Sequence, residues 1–144
     1  MSRTYPDRPI VAVGGLLFRG RNLLLVRRAK EPGFGKWSIP GGALEVGETL
    51  VQGLTREMSE EIGLTVEVGP LVEVVERTLR DPNGRVKYHY VLLDYLCFAQ
   101  NGEPHPGSDV SEVCFVPPNE WPDYIHDPMT LTVIDKARAM VEKI

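Results

Sequence analysis

The sequence predicts an α/β domain in which a mixed β-sheet packs against helices. Several stretches rich in Val, Leu and aromatic residues have the length of β-strands, and two segments place apolar residues at helical spacing. Strand-like segments lie on both sides of the first helical segment, as expected of a layered α/β fold. A chain of 144 residues has the size of one ordinary domain, so residues 1–144 are predicted to form a single domain.

The first predicted elements form a β-hairpin. Pro9–Phe18 and Asn22–Arg27 are apolar segments joined by a short turn at residues 19–21. Trp37–Ile39 is predicted to be a short strand that ends at residues 40–42, where two glycines permit a sharp turn.

A helix is predicted over residues 50–62. Thr49 and Gln52 have the spacing of a capping box, and Gly63 has the position of a C-terminal stop. The apolar side chains at helical spacing are Leu50, Val51, Leu54, Met58 and Ile62.

The second half of the chain is predicted to contain further strands and a closing helix. Thr65–Leu79 and Val86–Ala99 have the composition of two long strands, and Glu112–Pro117 that of a short one. Asp127 as N-cap and Pro128 in the first helical position predict a C-terminal helix.

Composition and charge exclude several classes of protein. Hydrophobic residues at 42% and charged residues at 25% are typical of a folded globular domain and not of a disordered chain. A net charge of −4 argues against general affinity for duplex nucleic acid. No apolar stretch is long enough to span a bilayer and residues 1–9 do not resemble a signal peptide, so the prediction is a cytoplasmic protein without a membrane partner.

The cysteines and histidines do not indicate a site. Cys97 and Cys114 lack the spacing of a zinc site, so free thiols are predicted. His89, His105 and His126 are scattered, which favours ordinary structural roles.

Three glutamates on the first predicted helix are the strongest candidates for chemistry. Glu57, Glu60 and Glu61 are spaced i, i+3 and i+4, which places them on one side of the helix. Taken alone, such a cluster is more often a solvated acidic face. Here the cluster adjoins the apolar side of the helix, where grouped negative charge requires a cation. Oxygen ligands of this kind suit Mg²⁺ better than zinc.

The glutamates are part of a longer pattern that resembles the Nudix family. Residues 42–48, seven further residues and then residues 56–64 match the Nudix box at every defined position. The segments that flank the box, including residues 37–41, are also similar to the family. The resemblance implies a Nudix-type α/β/α sandwich with a mixed β-sheet. It also implies a divalent metal and hydrolysis of a nucleoside diphosphate linked to another group.

The resemblance also assigns roles to individual residues. It implies that Glu60 and Glu61 are the main metal ligands and that the Gly41 carbonyl is an additional one. Glu57 corresponds to a position that deprotonates water in some members and mainly binds metal in others. Arg56 resembles the family's orienting arginine, which holds a carboxylate in its working rotamer. Glu48 corresponds to a weaker or indirect metal contact.

Other side chains are candidates with an ordinary alternative. Asp109 or Glu112 would supply a further carboxylate, with Asp109 preferred, and the alternative for each is a solvated loop charge. Arg28 would bind phosphate, since arginine suits such oxyanions, or would lie on a solvated face. Five aromatic residues are candidates for stacking on a base, although aromatic residues in strands more often belong to the core: Trp37, Tyr88, Tyr90, Phe115 and Trp121.

The leading hypothesis is a Mg²⁺-dependent hydrolase, with Mn²⁺ as a substitute, that acts on a small-molecule nucleotide. ADP-ribose, a nucleotide sugar and a (d)NTP are all candidate substrates. Family members that resemble nucleotide-sugar or ADP-ribose hydrolases often carry a Pro-x-Arg-Asp-Pro run after the box. Here Arg80-Asp81-Pro82 is present but Thr78 replaces the first proline, so the match is partial. One alternative is a non-catalytic nucleotide sensor, which the intact glutamates argue against. Another is a prenyl diphosphate isomerase, for which neither cysteine is well placed. The sequence allows a homodimer without determining it.

Overall fold

The computed structural model describes residues 3–144, and it begins with the predicted hairpin. Strand β1 is Ile10–Arg19 and β2 is Asn22–Arg28; they pair antiparallel with Phe18 opposite Leu23. Strand β3 is Trp37–Ser38, and it pairs antiparallel with β2. The predicted hairpin and short strand are therefore confirmed.

The predicted mixed sheet is also confirmed. The two long strands are β5, Glu67–Arg80, and β6, Val86–Phe98. They form an antiparallel pair, and β6 lies parallel to β1. The path through the sheet runs β3-β2-β1-β6-β5, with β7, Val110–Val116, paired to β2.

One strand of the sheet is absent from the sequence prediction. Residues Gly41–Ala43 form strand β4, which pairs antiparallel with β1 where the prediction places only a turn. A Cβ atom on Gly41 would lie 2.0 Å from the Val13 carbonyl oxygen, so the absence of a side chain allows β4 to approach β1 this closely.

Helix α1 is Leu50–Ile62 and has the predicted bounds. The Thr49 hydroxyl accepts a hydrogen bond from the Gln52 backbone N–H, and the Gln52 side chain accepts one from the Thr49 N–H. Gly63 ends the helix in the left-handed conformation at φ 71°. Val51, however, is exposed, so its predicted place on the apolar face is wrong.

The core consists of two layers, one on each face of the sheet. Against one face, α1 packs with Leu54 and Met58 next to Val13. Against the other face packs helix α3, Pro128–Glu142, with Ile134 in contact with the apolar cluster that includes Leu16. This arrangement is an α/β/α sandwich.

The C-terminal region begins with short helices that the sequence prediction lacks. A 3₁₀ turn at Pro118–Glu120 leads into α2, Trp121–Tyr124. Helix α3 then begins as predicted, with the Asp127 carboxylate accepting backbone N–H groups of Met129 and Thr130. Within residues 3–144, no helix has the length and hydrophobicity required to cross a membrane.

Candidate active site

The side of α1 that carries the glutamates faces strand β4. Glu57 and Glu61 are buried, with relative exposures of 9% and 7%, whereas about half of the Glu60 side chain is exposed. The carboxylates therefore border the core as the sequence analysis predicts, and two of them are largely removed from water.

Arg56 is the common partner of the acidic side chains. Its Nε and Nη2 donate to the two carboxylate oxygens of Glu48 at 2.7 and 2.9 Å. Its Nη1 donates to Glu57 at 2.8 Å and to Glu60 at 3.2 Å, while Nη2 also reaches the Ala43 carbonyl at 3.1 Å. One guanidinium thus links α1, β4 and the loop between them.

Two glycines of β4 support the buried glutamates. The Gly41 N–H donates to Glu61 Oε1 at 2.9 Å. A Cβ atom on Gly42 would lie 2.5 Å from the Glu57 carboxyl group, so this carboxyl group occupies the space that a side chain at position 42 would fill. Strand β4 therefore fixes both carboxylates.

The electrostatic environment disfavours full ionisation of this cluster. Burial outweighs the opposing hydrogen bond from the Gly41 N–H and, with a smaller contribution from the charge of Glu57, raises the pKa of Glu61 to about 7. Burial also raises the pKa of Glu57, against the opposing effect of Arg56. By contrast, the hydrogen bonds from Arg56 lower the pKa of Glu48 to about 2. The cluster carries more negative charge than one arginine neutralises.

The donor chemistry of the site fits a hard divalent cation. Mg²⁺ prefers carboxylate oxygens as ligands, and a bound cation would favour the ionised form of the buried Glu57 and Glu61, whose pKa values burial raises. In the part of the chain that the structure describes, no three His, Cys, Asp or Glu side chains already converge in metal-binding geometry; Glu57 and Glu60 instead share Arg56 Nη1 as a hydrogen-bond donor.

A cavity of about 540 Å³ opens next to the glutamates. Its floor is the face of the sheet that also packs against α3, with residues from β1, β5 and β6. Seven of the residues that the sequence indicates as candidates line it: Arg28, Gly41, Arg56, Glu57, Glu60, Glu61 and Asp109. The fold thus brings most of the sequence candidates into one concave site.

The two candidate downstream carboxylates lie in different places. Asp109 lines the cavity and pairs with Lys30 at 2.8 Å. Glu112 is not among the lining residues and pairs with Arg27 at 2.8 Å. Glu48 does not line the cavity either and reaches it through Arg56.

Only some of the aromatic candidates lie in the cavity lining. Trp37 and Tyr90 line the cavity, whereas Trp121 is buried in the core and Phe115 packs under Arg19. Tyr88 is buried outside the cavity lining and stacks on Tyr90.

The cysteines lie outside the cavity lining and are free thiols, as predicted. Burial raises the pKa of Cys97 to about 12, so this thiol is unreactive at neutral pH. Neither cysteine therefore meets the requirement of the isomerase alternative.

Sequence reasoning missed Asp94, a buried carboxyl in the cavity floor. It lies on β6 and is 7% exposed, and burial raises its pKa to about 6. A charged residue inside an otherwise apolar strand segment, Val91–Leu96, is the signal that could have found it.

Asp94→Asn is expected to stabilise the protein at high pH. Because the folded-state pKa is raised above the usual 3.8, the contribution of Asp94 to stability is complete below pH 3.8 and is lost as pH rises through about 6. Removing the charge should raise the free energy of unfolding by up to about 3 kcal/mol at pH 8 and by little at pH 4. Urea denaturation at both pH values measures this, with the exposed Asp135→Asn as control. A gain that is equal at both pH values would contradict it.

Comparison with known proteins identifies the class and then the family. The chain is 35% identical to an ADP-ribose pyrophosphatase from Methanocaldococcus jannaschii over 83% of its own length and 68% of that protein. It is 33% identical to the 8-oxo-dGTP diphosphatase of Escherichia coli over 65% of its own length and 69% of that protein. A crystal structure of a MutT NUDIX hydrolase from Burkholderia pseudomallei superposes with a TM-score of 0.77 at 27% identity, covering 90% of this chain and 98% of that one.

Fold and relatives together define a small α/β hydrolase. The NUDIX domain model matches residues 8–134, and the chain belongs to the Nudix family. Nudix hydrolases generally use a divalent metal.

Proposed function

We propose that this protein is a Mg²⁺-dependent hydrolase, formed by residues 1–144 as one domain, that cleaves a phosphoanhydride bond in a nucleoside diphosphate derivative. The observation that carries the proposal is the placement of Glu57, Glu60 and Glu61 beside a cavity large enough for a nucleotide. A single arginine leaves this group with excess negative charge, which a divalent cation would balance.

Glu60 and Glu61 would hold the metal, with the Gly41 carbonyl as an additional ligand and Glu57 either as a further ligand or as the acceptor of a proton from the attacking water. When bound, Mg²⁺ would lower the pKa of that water and neutralise charge on the diphosphate. Asp109, rather than Glu112, is proposed as the further carboxylate because it lines the cavity.

The basic residues position the reacting groups. Arg56 fixes the rotamers of Glu57 and Glu60 through hydrogen bonds from one nitrogen. Arg28 lines the cavity, and its Nε donates to the Pro32 carbonyl at 2.7 Å, which leaves its terminal nitrogens available for a phosphate oxygen.

A product assay over ADP-ribose, nucleotide sugars and (d)NTPs tests the proposal. Hydrolysis should require added Mg²⁺, stop when the metal is chelated and return with Mg²⁺ or Mn²⁺. Activity that survives chelation would refute the metal requirement. Tight binding of a nucleotide without turnover across the whole panel would instead support a sensor.

A further inference from the structure

Asp94 differs from the other buried carboxylates of the protein. In the described part of the chain three acidic side chains are buried, and two of them have partners: Glu57 bonds to Arg56, and Glu61 accepts the Gly41 N–H. Among residues 3–144, Asp94 forms neither a hydrogen bond nor an ion pair through its side chain, although it lines the cavity. A buried carboxyl group without a partner destabilises the fold. Because no protein group that the structure describes bonds to the Asp94 oxygens, they remain available to a ligand.

The carboxyl group lies over a gap left by Gly14. This residue is directly opposite Asp94 in the pairing of β1 with β6. Gly14 does not have a positive φ, so its conformation does not require glycine. A Cβ atom there would lie 2.4 Å from Asp94 Oδ1 and 3.0 Å from the Ile39 side chain. The small residue at position 14 therefore makes room for the Asp94 carboxyl group at the cavity floor.

The sheet register sets the distance between Asp94 and the glutamates. Gly41, Gly14 and Asp94 form one row across β4, β1 and β6. Neighbouring strands are about 5 Å apart, so the Cα atoms of Asp94 and Gly41 lie about 10 Å apart, and the Gly41 N–H bonds to Glu61. The Asp94 carboxyl group leans over Gly14, between these two positions, so a bound nucleotide is long enough to reach from the glutamates to this carboxyl group.

The surroundings of Asp94 suit a base better than a charged group. The lining residues from the sheet and α3 include the apolar side chains of Ile39, Val75, Leu92 and Val133 beside the polar ones of Arg77, Tyr90 and Thr130. Apolar walls with a few fixed polar groups are typical of sites that orient an aromatic ligand. The nearest cation on β5, Arg77, is already bonded to Asp127 and Thr130.

An ionised carboxylate accepts hydrogen bonds and donates none. The Watson–Crick edge of guanine presents two adjacent donors, N1–H and the exocyclic amino group, whereas adenine presents one donor beside an acceptor. We propose that Asp94 reads the base of the substrate by accepting both guanine donors, so that the enzyme selects guanine over adenine nucleotides. This inference rests on the proposed function for the phosphate end of the site.

Asp94→Asn tests the inference because an amide offers one acceptor and one donor, which complements adenine. The wild type should hydrolyse GDP-ribose and dGTP with a kcat/KM about 10- to 100-fold above that for ADP-ribose and dATP. The variant should lose this preference or reverse it while remaining folded. In metal-free buffer with a chelator, calorimetry should show the same change in the relative affinities for GMP and AMP.

Two further variants separate base reading from other effects. Gly14→Ala displaces the carboxyl group and should lower guanine preference without the gain for adenine. Glu67→Gln is the matched control, because Glu67 is an exposed carboxylate on β5 outside the cavity lining. It should leave base preference unchanged.

The outcomes are distinguishable from failure of the proposed function. Equal kcat/KM for both bases, or an unchanged preference in Asp94→Asn, overturns the inference while hydrolysis itself stands. The inference is also overturned if the loss of kcat/KM in Asp94→Asn depends on whether the substrate is a ribo- or a deoxynucleotide, and not on whether its base is guanine or adenine. If no nucleotide is hydrolysed, the proposed function fails, and the metal-free affinities for GMP and AMP still decide the role of Asp94.

Discussion

Glu60→Gln is expected to reduce hydrolysis by about 10³-fold while the fold stays intact. Glu60 is proposed to bind the metal, and loss of a group that stabilises charge in the transition state has an effect of this order. Its side chain is 49% exposed and its hydrogen bond to Arg56 measures 3.2 Å. The free energy of unfolding should therefore change by less than about 1 kcal/mol.

Steady-state kinetics with Mg²⁺, together with thermal denaturation, separates the two effects. The matched control is Glu142→Gln, which removes a similarly exposed carboxylate near the end of α3. Calorimetric titration with Mg²⁺ should show weaker binding in Glu60→Gln only. Wild-type activity in this variant would exclude Glu60 from the reaction.

The elements with local signals were predictable from the sequence. Helix α1 has its predicted bounds because Thr49 and Gly63 fix its ends through contacts within a few residues. Strand β4 was not predictable in the same way. Gly41–Ala43 has no strand composition, and it becomes a strand only because β1 provides a partner distant in sequence.

In the candidate site, too, features set by local sequence were predictable, and features set by contacts distant in sequence were not. Helical spacing alone places Glu57, Glu60 and Glu61 on one side of α1, so the acidic cluster was predictable. The significance of Asp94 was not, because it depends on the glycine opposite it on β1. Likewise, the sequence predicted a role for Arg56 in orienting one carboxylate, but its bonds to Glu48 and Ala43 depend on the path of the loop before α1.

Arg56→Met is expected to lower the free energy of unfolding by about 3–5 kcal/mol in metal-free protein. Methionine keeps most of the side-chain volume, so the main loss is the cation that serves Glu48, Glu57 and Glu60. Arg56 is only 22% exposed, unlike the arginines of surface pairs. Arg8→Met, in which the lost pair with Asp7 is largely exposed, is the control and should change stability by less than about 1 kcal/mol.

The pH dependence and a double variant show whether unpaired charge is the cause. The deficit of Arg56→Met relative to wild type should shrink from pH 8 to pH 4, because protonated carboxyl groups no longer require the guanidinium. Arg56→Met/Glu57→Gln should recover part of the lost stability, since Glu57 is the most buried carboxylate left without its partner. Urea denaturation at both pH values measures these differences. A deficit independent of pH, with no recovery in the double variant, would mean that Arg56 stabilises the protein by packing rather than by charge.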